Sequence, residues 1–370
     1  MNQRVLIAFV LFLVPVAGAQ VYTVTDLGPL SPTAINIWGQ VVGNFNGQAF
    51  IWTQFTGRKG LGKLTGGTSS YASSVNDLGV VTGTADGLGT VISLIPSSPN
   101  QECSDLTQPF VWTSRNGLQG LGTVGGDWDE GDWCEVRFSA TGINDPGQVV
   151  GYTGFGTFSY ALVWTRTNGT TLFGDSWPIT AANGVSNVDQ IVGQDATNEL
   201  FTFGLGHATS WKSGVATDLG TLGGGADVVE FSSSANGVND LGQVVGWSDT
   251  APYFSDAPIH AVLWGKNGVI LDLGTLAGDT LSAASNINFF GQVIGSSGNT
   301  LGFQGDAVTV IGRPFIWSTR NGMQDLNSLI STRSGWVLNS ATGINIWGQI
   351  VGSGTRNGHS HGFLLTPTFF

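Results

Sequence analysis

One phrase, [Ile/Val]-Asn-x-x-Gly-x-[Val/Ile]-x-Gly, recurs along this chain and limits its fold more than any other feature. It begins at Ile35, Val75, Ile143, Val238, Ile287 and Ile344, and a degenerate copy, Val-Ser-Asn-Val-Asp-Gln-Ile-Val-Gly, begins at Val185. Successive copies start 40, 68, 42, 53, 49 and 57 residues apart. A second apolar segment follows each, ending in Trp52, Trp112, Trp164, Trp211, Trp264 or Trp317, with Gly362-Phe363-Leu364-Leu365 in the last copy. An Asp-Leu-Gly-like segment comes next, at Leu61, Leu121, Leu172, Asp218, Asp272 and Asp325. Self-similarity on this length scale marks a repeat architecture.

Each copy reads as four short strands: one ending at the Asn, then Gln-Val-Val-Gly, then Phe-Ile-Trp, then Asp-Leu-Gly. Val, Ile, Phe, Trp and Thr fill them, as strand propensity expects. The first connection is a tight turn, with Asn at its start and a Gly that tolerates the left-handed conformation near its end. Asn116-Gly117, Asn168-Gly169, Asn267-Gly268 and Asn321-Gly322 supply hairpin turns between the third and fourth strands. The expectation is therefore an all-β chain, a seven-bladed β-propeller of four-stranded antiparallel blades. A solenoid of uniform coils fits worse, because the spacing varies by 28 residues. The seventh copy stops after its third strand, and the missing fourth stands at the other end as Tyr22 to Leu27, with its own Asp26-Leu27-Gly28. An N-terminal strand completing the last blade closes the ring and leaves no open edge.

Taken as a set, Ile-Asn-x-x-Gly-Gln-Val-Val-Gly, [His/Gln]-Ala-x-x-Trp and Asp-Leu-Gly-Thr-Leu-Gly-Gly resemble the bacterial extracellular repeat family named for a His-Ala-Phe (HAF) signature. The resemblance covers nearly the whole chain after its first residues. His207-Ala208, His260-Ala261 and Gln48-Ala49-Phe50 carry the signature, whereas Gln108-Pro109-Phe110 and Arg313-Pro314-Phe315 depart from it. It implies an exported repeat protein and brings no activity with it.

Export is read independently from the first residues. Arg4, the apolar run Val5 to Val16 and the small-residue site Ala17-Gly18-Ala19 form a secretory signal, with cleavage expected near Ala19. The run is too short to span a bilayer, and no other stretch is longer, so a secreted or periplasmic product without membrane insertion is expected. Residues 20–370 then form one domain, expected as a monomer. Only 10% of residues are charged while Gly numbers 57, which fits many strands and tight turns. A net charge of -12 speaks against nucleic acid as a partner, since that needs a basic face.

Catalytic constellations are weak. Gly120-Leu-Gly122-Thr-Val-Gly125 matches a dinucleotide loop, but it is one copy of a repeated turn with no helix behind it. His207 and His260 occupy a recurring slot at the start of the third strand, where Gln48, Gln108 and Tyr160 stand in other blades; a hydrogen-bonding spacer explains them best. His359 and His361 lie two apart and suit a shared strand face or a metal. The strand tryptophans read as core, Trp38 and Trp347 as exposed turn residues, and Trp128, Trp133, Trp177, Trp247 and Trp336 as loop residues.

Antiparallel strands put the short turns on one face of the ring and the variable loops on the other. Of the 25 acids, Asp26, Asp77, Asp145, Asp218, Asp240, Asp272 and Asp325 occupy repeat positions, and all the rest but Asp189 fall in variable loops. Arg58, Lys59, Arg115, Arg166, Lys212, Lys266 and Arg320 cluster at the short turns. The loop face is thus expected to be acidic and the turn face mildly basic. Blade 2 has the longest loops, residues 85–106 and 123–137. They hold Asp127, Trp128, Asp129, Glu130, Asp132 and Trp133, which combine carboxylates with flat apolar surface. This segment is the expected binding site. No cofactor is expected; Ca²⁺ suits clustered carboxylates, although the spacing misses the EF-hand pattern. The leading function is non-catalytic binding of an extracellular glycan or protein by the loop face. A secreted carbohydrate-active enzyme drawing acids from the same loops is the alternative, and a passive envelope or matrix component is the third.

Cys103 and Cys134, the only cysteines, fall one in each of these two loops, and an exported chain favours a disulfide between them. Such a bond contributes about 3–4 kcal/mol in the chain-entropy model. Mass spectrometry of a non-reduced digest should find the linked peptides. Alkylation of both thiols without reductant would refute the pairing.

Overall fold

The computed structural model describes residues 21–93, 101–125, 137–155, 158–173, 180–195, 206–223, 231–252, 258–304 and 307–368. The segment expected to be a secretory signal, residues 1–19, lies outside them. In chain order the strands begin with β1 (Val21–Gly28), which belongs to the last blade. Blade 1 is β2 (Ser31–Ile35), β3 (Val41–Phe45), β4 (Gln48–Thr53) and β5 (Gly57–Gly60). Blade 2 is β6 (Ser70–Val75), β7 (Val81–Ser93), β8 (Gln101–Thr113) and β9 (Gly117–Gly120), with a short addition, β10 (Thr123–Gly125). Blade 3 is β11 (Arg137–Ile143), β12 (Val149–Phe155), β13 (Phe158–Thr165) and β14 (Gly169–Phe173). Blade 4 is β15 (Thr180–Val185), β16 (Gln190–Asp195), β17 (His207–Lys212) and β18 (Val215–Asp218). Blade 5 is β19 (Ser233–Val238), β20 (Val244–Asp249), β21 (Ile259–Trp264) and β22 (Ile270–Gly274). Blade 6 is β23 (Leu281–Ile287), β24 (Val293–Gln304), β25 (Ala307–Ser318) and β26 (Gly322–Asp325), followed by a 3-10 turn at Leu326–Leu329. Blade 7 is β27 (Trp336–Ile344), β28 (Ile350–Arg356) and β29 (His359–Thr368).

This is the expected seven-bladed propeller. The first strand of each blade touches those of both neighbours, β27 against β2 included, so the ring is closed around an axis. β1 pairs antiparallel with β29, from Val21 opposite Thr368 to Asp26 opposite Phe363, and supplies the outer strand of blade 7. Apolar side chains of adjacent blades interlock between the sheets. Val42, Ala49 and Ile51 of blade 1, for example, pack on Ala72, Val75, Phe110 and Trp112 of blade 2.

The repeated phrase has a physical reason at nearly every position. Its Asn is buried, and in Asn36, Asn239, Asn288 and Asn345 the amide forms all four hydrogen bonds open to it. Asn76 and Asn144 form three, since Val80 replaces the turn's Gln in one and Pro146 lacks an N–H in the other. In blade 1 Asn36 Oδ1 accepts from the backbone of Trp38 (3.1 Å) and Gln40 (3.0 Å), shaping the turn. Nδ2 donates to Gln40 Oε1 (2.7 Å) and to the Asn76 carbonyl of the next blade (3.0 Å). The same blade-to-blade bond runs from Asn76 to Asn144, from Asn144 to Ser186, from Asn239 to Asn288, from Asn288 to Asn345 and from Asn345 back to Asn36, at 2.9–3.1 Å. Ser186 stands in the slot in blade 4; no bond from its side chain to blade 5 occurs among the described residues.

The last Gly of the phrase answers to a bulge. In all seven blades the first strand shifts register opposite it, as at Ala182/Gly184 across from Gly193. A Cβ on Gly193 would lie 1.8 Å from the Ala181 carbonyl oxygen, and one on Gly246 1.9 Å from that of Ser234, so only Gly fits. The bulged residue turns its side chain toward the next blade. Thr33 donates to the Ala72 carbonyl (2.9 Å), Thr141 to Ala182 (2.7 Å), Asn183 to Ala235 (2.9 Å), Asn236 to Ala284 (2.8 Å), Ser285 to Ala341 (3.2 Å) and Thr342 to Pro32 (3.1 Å). Ser73 bonds instead to Thr82 within its own blade.

Three details differ from the sequence reading. Much of the expected loop 85–106 is a long hairpin, β7 with β8, and β24 with β25 forms a similar one in blade 6. Blade 2 is therefore not alone in extending its second connection. Trp247, expected on a loop, lies in β20 and is buried with Ile259, Leu281 and Val310; Trp336 starts β27 and is half-buried. Among the strand tryptophans Trp112, Trp211, Trp264 and Trp317 are core, while Trp52 and Trp164 are only half-buried.

Removing one ring amide strands buried donors and acceptors, at about 1–3 kcal/mol for such groups. Asn345→Ala should lower the melting temperature clearly, whereas Ser186→Asn, which can supply the missing link, should raise it. Thermal unfolding followed by circular dichroism checks both, and no loss in Asn345→Ala would contradict the role of the ring.

Candidate functional site

Three of the four histidines, His207, His260 and His361, clasp an Asp, while His359 is exposed in β29. His207 Nδ1 meets Asp218 Oδ2 at 2.7 Å, His260 Nδ1 meets Asp272 Oδ2 at 2.9 Å, and Arg313 reaches Asp325 at 3.2 Å. In each case a residue near the start of the third strand's blade segment clasps the Asp of the fourth. In blade 7 that Asp comes from the other end of the chain: Asp26 on β1 pairs with His361 (2.8 Å) and with Arg356. Its remaining task is local, since Asp26 Oδ1 also accepts from Gly28 N (2.8 Å). Burial acts to raise the Asp26 pKa, but the bonds from Gly28, His361 and Arg356 outweigh it and hold the carboxyl below its ordinary value.

Asp127, Trp128, Asp129, Glu130, Asp132, Trp133 and Cys134 lie outside the described residues. Cys103 stands in β8 with its backbone opposite Gly89. The base of the expected site is visible: β10 pairs in parallel with the far end of β7, Thr123 opposite Val91, so the two blade 2 connections meet on one side of the ring. Asp86 of that region is a clasp. Burial acts to raise its pKa, but donors from Thr68 and Ser69 override this and bring it to about 2. Among the described residues no group of three or more His, Cys, Asp or Glu is arranged to hold a metal ion. No helix there is long and apolar enough to cross a membrane.

The turn face carries a site that the repeat pattern alone does not reveal. A mouth of about 240 Å³ opens on the axis, lined by the ends of the innermost strands. Asp77, Asp145 and Asp240 edge it, with Asn187 in the corresponding slot of blade 4. Each accepts from the blade before: Ile37 N to Asp77 Oδ1 (3.1 Å), Asp77 N to Asp145 Oδ1 (2.8 Å), Asp145 N to Asn187 Oδ1 (2.8 Å), Asn187 N to Asp240 Oδ1 (2.8 Å). Burial, and after it the charges of Asp145 and Asp240, raise the Asp77 pKa against the lowering bond from Ile37. No Lys, Arg or His lines the mouth. The turn face is thus basic only toward its rim and acidic at its centre, which corrects the expected separation of charge.

An apolar ring surrounds this centre. The second residue after each ring Asn or Ser is Trp38, Leu78, Pro146, Val188, Leu241, Phe290 or Trp347, and every one is exposed. Trp38, Leu78 and Phe290 show 70% or more of their surface. Two are also fixed: Trp38 Nε1 donates to the Asp77 carbonyl and Trp347 Nε1 to that of Ile37, both at 2.8 Å. Their indoles therefore lie across the next blade's turn. Beside them Phe55, Trp52, Gln54, Gln349 and Thr366 help to line a groove of about 320 Å³ that contains no acid, base or thiol. The signal was present in the sequence, for a tight turn rarely places an apolar residue at the same exposed position seven times.

No protein family and no curated protein matches the chain. Among solved structures it is similar to the β-propeller domain of the Trilobed protease from Pyrococcus furiosus, at 10% identity over 94% of each chain with a TM-score of 0.49. It is also similar to dipeptidyl peptidase 4 from Porphyromonas gingivalis, at 8% identity over 87% of this chain and 49% of that one, TM-score 0.42. An extracellular domain from B. thetaiotaomicron matches at 10% identity over 94% of this chain and 40% of that one, TM-score 0.48.

Asp249 gives the site's scaffold a pH dependence. Its carboxyl is buried beside His207 and accepts from Ser232 N (2.8 Å). Burial pushes its pKa up to about 6, against smaller lowering effects of that bond and of His207. The raised value means that the protonated form is favoured by the fold. Its contribution is present below about pH 4 and is lost as pH rises through about 6. Asp249→Asn keeps the acceptor for Ser232 N and should raise the melting temperature at pH 7.5 while changing it little at pH 4. Equal shifts at both pH values would contradict this.

Proposed function

We propose that the protein is an exported, non-catalytic binding propeller for an extracellular protein or glycan, and that its turn face is the binding surface. The apolar ring carries this reading. The turns themselves need the Asn and the Gly; Trp38 and Trp347 also lace neighbouring turns through Nε1, but nothing in the turn geometry calls for an exposed Leu, Val or Phe at the same position in the other blades. Exposed apolar surface gathered in one place marks interaction sites. The groove between Trp38 and Trp347 offers flat aromatic faces and side-chain amides, and it lacks the titratable pair that acid–base catalysis would require. The blade 2 segment 127–133 is a second candidate surface, supported by the long β7–β8 hairpin with β10 set against it. A carbohydrate-active enzyme, if the chain is one, would draw its acids from there.

A glycan array and a panel of secreted proteins, probed with the protein lacking residues 1–19, test the proposal. Trp38→Ala with Trp347→Ala should weaken any ligand found by roughly tenfold or more, as loss of aromatic anchors does, with an unchanged far-UV spectrum. Trp128→Ala with Trp133→Ala should leave that binding intact. The reverse pattern would move the site to blade 2, and turnover of a bound ligand would overturn the non-catalytic reading.

A further inference from the structure

We propose that the turn face docks a protein segment carrying one basic side chain between apolar ones, with the basic group entering the axial mouth and the apolar neighbours resting on the surrounding ring. The proposal builds on the turn face as binding surface and names the chemistry of its partner. Charge complementarity selects that partner. Asp77, Asp145 and Asp240 each commit Oδ1 to a backbone donor of the preceding blade. Oδ2 of Asp77 and Asp145 has no hydrogen-bond partner among the described residues, so acceptor capacity remains at the mouth. Three like charges share a half-buried space without a cation among the lining residues, and their mutual repulsion is relieved by an entering ammonium or guanidinium group.

Shape and polarity restrict the rest of the ligand. The mouth, at about 240 Å³, takes one long side chain rather than a folded domain. Around it Leu78, Leu241 and Phe290 are exposed and Trp38 and Trp347 are tethered by their indole bonds. Leu and Phe side chains of this kind contact apolar side chains; an oligosaccharide would find indole faces on only the Trp38–Trp347 side. A basic residue flanked by Leu, Ile or Phe satisfies centre and ring together, whereas an acidic segment is repelled at the centre.

Asp77 and Asp145 can be neutralised without disturbing the scaffold, because Asn187 already fills the same slot and accepts from Asp145 N at 2.8 Å; at Asp240 an Asn keeps the acceptor for Asn187 N and gives up the exposed bond from Asn187 Nδ2. A random twelve-residue display library is panned on the whole protein and counter-selected on Asp77→Asn/Asp145→Asn/Asp240→Asn. Enriched peptides should carry Lys or Arg between apolar residues. A synthetic copy should bind the parent about tenfold more tightly than the triple variant and weaken as salt rises. Failure of any peptide to enrich, enrichment of acidic or base-free sequences, or equal binding to the triple variant would each overturn the inference. If Trp38→Ala with Trp347→Ala abolishes binding while the triple variant binds normally, the turn face stands as the binding surface and the cationic partner does not. A glycan bound in its place likewise keeps the surface and removes the cationic partner.

Discussion

The buried carboxamide at the end of each innermost strand is the bond on which this ring depends. An amide offers two donors and two acceptor sites, and four of the six Asn turns use all of them, as at Asn36: two acceptances shape the turn, one donation holds the turn's own Gln, and one crosses to the next blade. Turn geometry and ring closure are therefore set by one group. The carbonyl it reaches belongs to the residue in the same slot of the next blade, and the circuit returns to its start at Asn345 and Asn36, broken among the described residues at Ser186 between blades 4 and 5. Apolar packing between sheets supplies most of the burial, and directional bonds near the axis tie each innermost strand to its neighbour.

Much of this was legible before the structure. The seven copies, the four strands in each and the closure by Tyr22 to Leu27 follow from residue order, because a repeat must present the same turn and the same Gly wherever the same contacts recur. The His–Asp and Arg–Asp clasps were half visible: the slot was evident, its partner in the fourth strand was not, since a spacing of about a dozen residues does not reveal a hairpin register. The axial site was hidden for a different reason. Asp77, Asp145 and Asp240 looked like repeat furniture, and only the ring brings them together from three blades. The tryptophans illustrate the limit from the other side. Trp247 directly follows a repeat phrase and Trp38 lies inside one, so that one sits in β20 facing the core and the other on an exposed turn.

The surface divides along the same logic. Where the blade is a scaffold, residues repeat; where a copy departs, something local accounts for it. In blade 4 the left-handed Gly of the turn is replaced by Asp189 at φ 60°, a conformation that Asp tolerates better than most residues. Its neighbour Asn187 donates both its backbone N–H and its Nδ2 to Asp240, which strengthens the junction at which Ser186 cannot reach across. In blade 2 the departure is an extended hairpin with β10 alongside, an addition that the ring does not need.

The two belts of blade-to-blade bonds are each incomplete, and in different places. The amide belt misses its link from blade 4 to blade 5 at Ser186; the belt made by the bulged residues misses its link from blade 2 to blade 3 at Ser73. Between blades 4 and 5 the bulged Asn183 still reaches Ala235, and between blades 2 and 3 the amide of Asn76 still reaches Asn144. The arrangement is fault-tolerant in the way of a doubly laced rope: a single lost lacing leaves no seam, and the ring parts only where both strands of lacing fail at one junction. Sequence drift in such a chain is therefore buffered unevenly, with Asn183 and Asn76 guarding the two junctions where one belt is already missing.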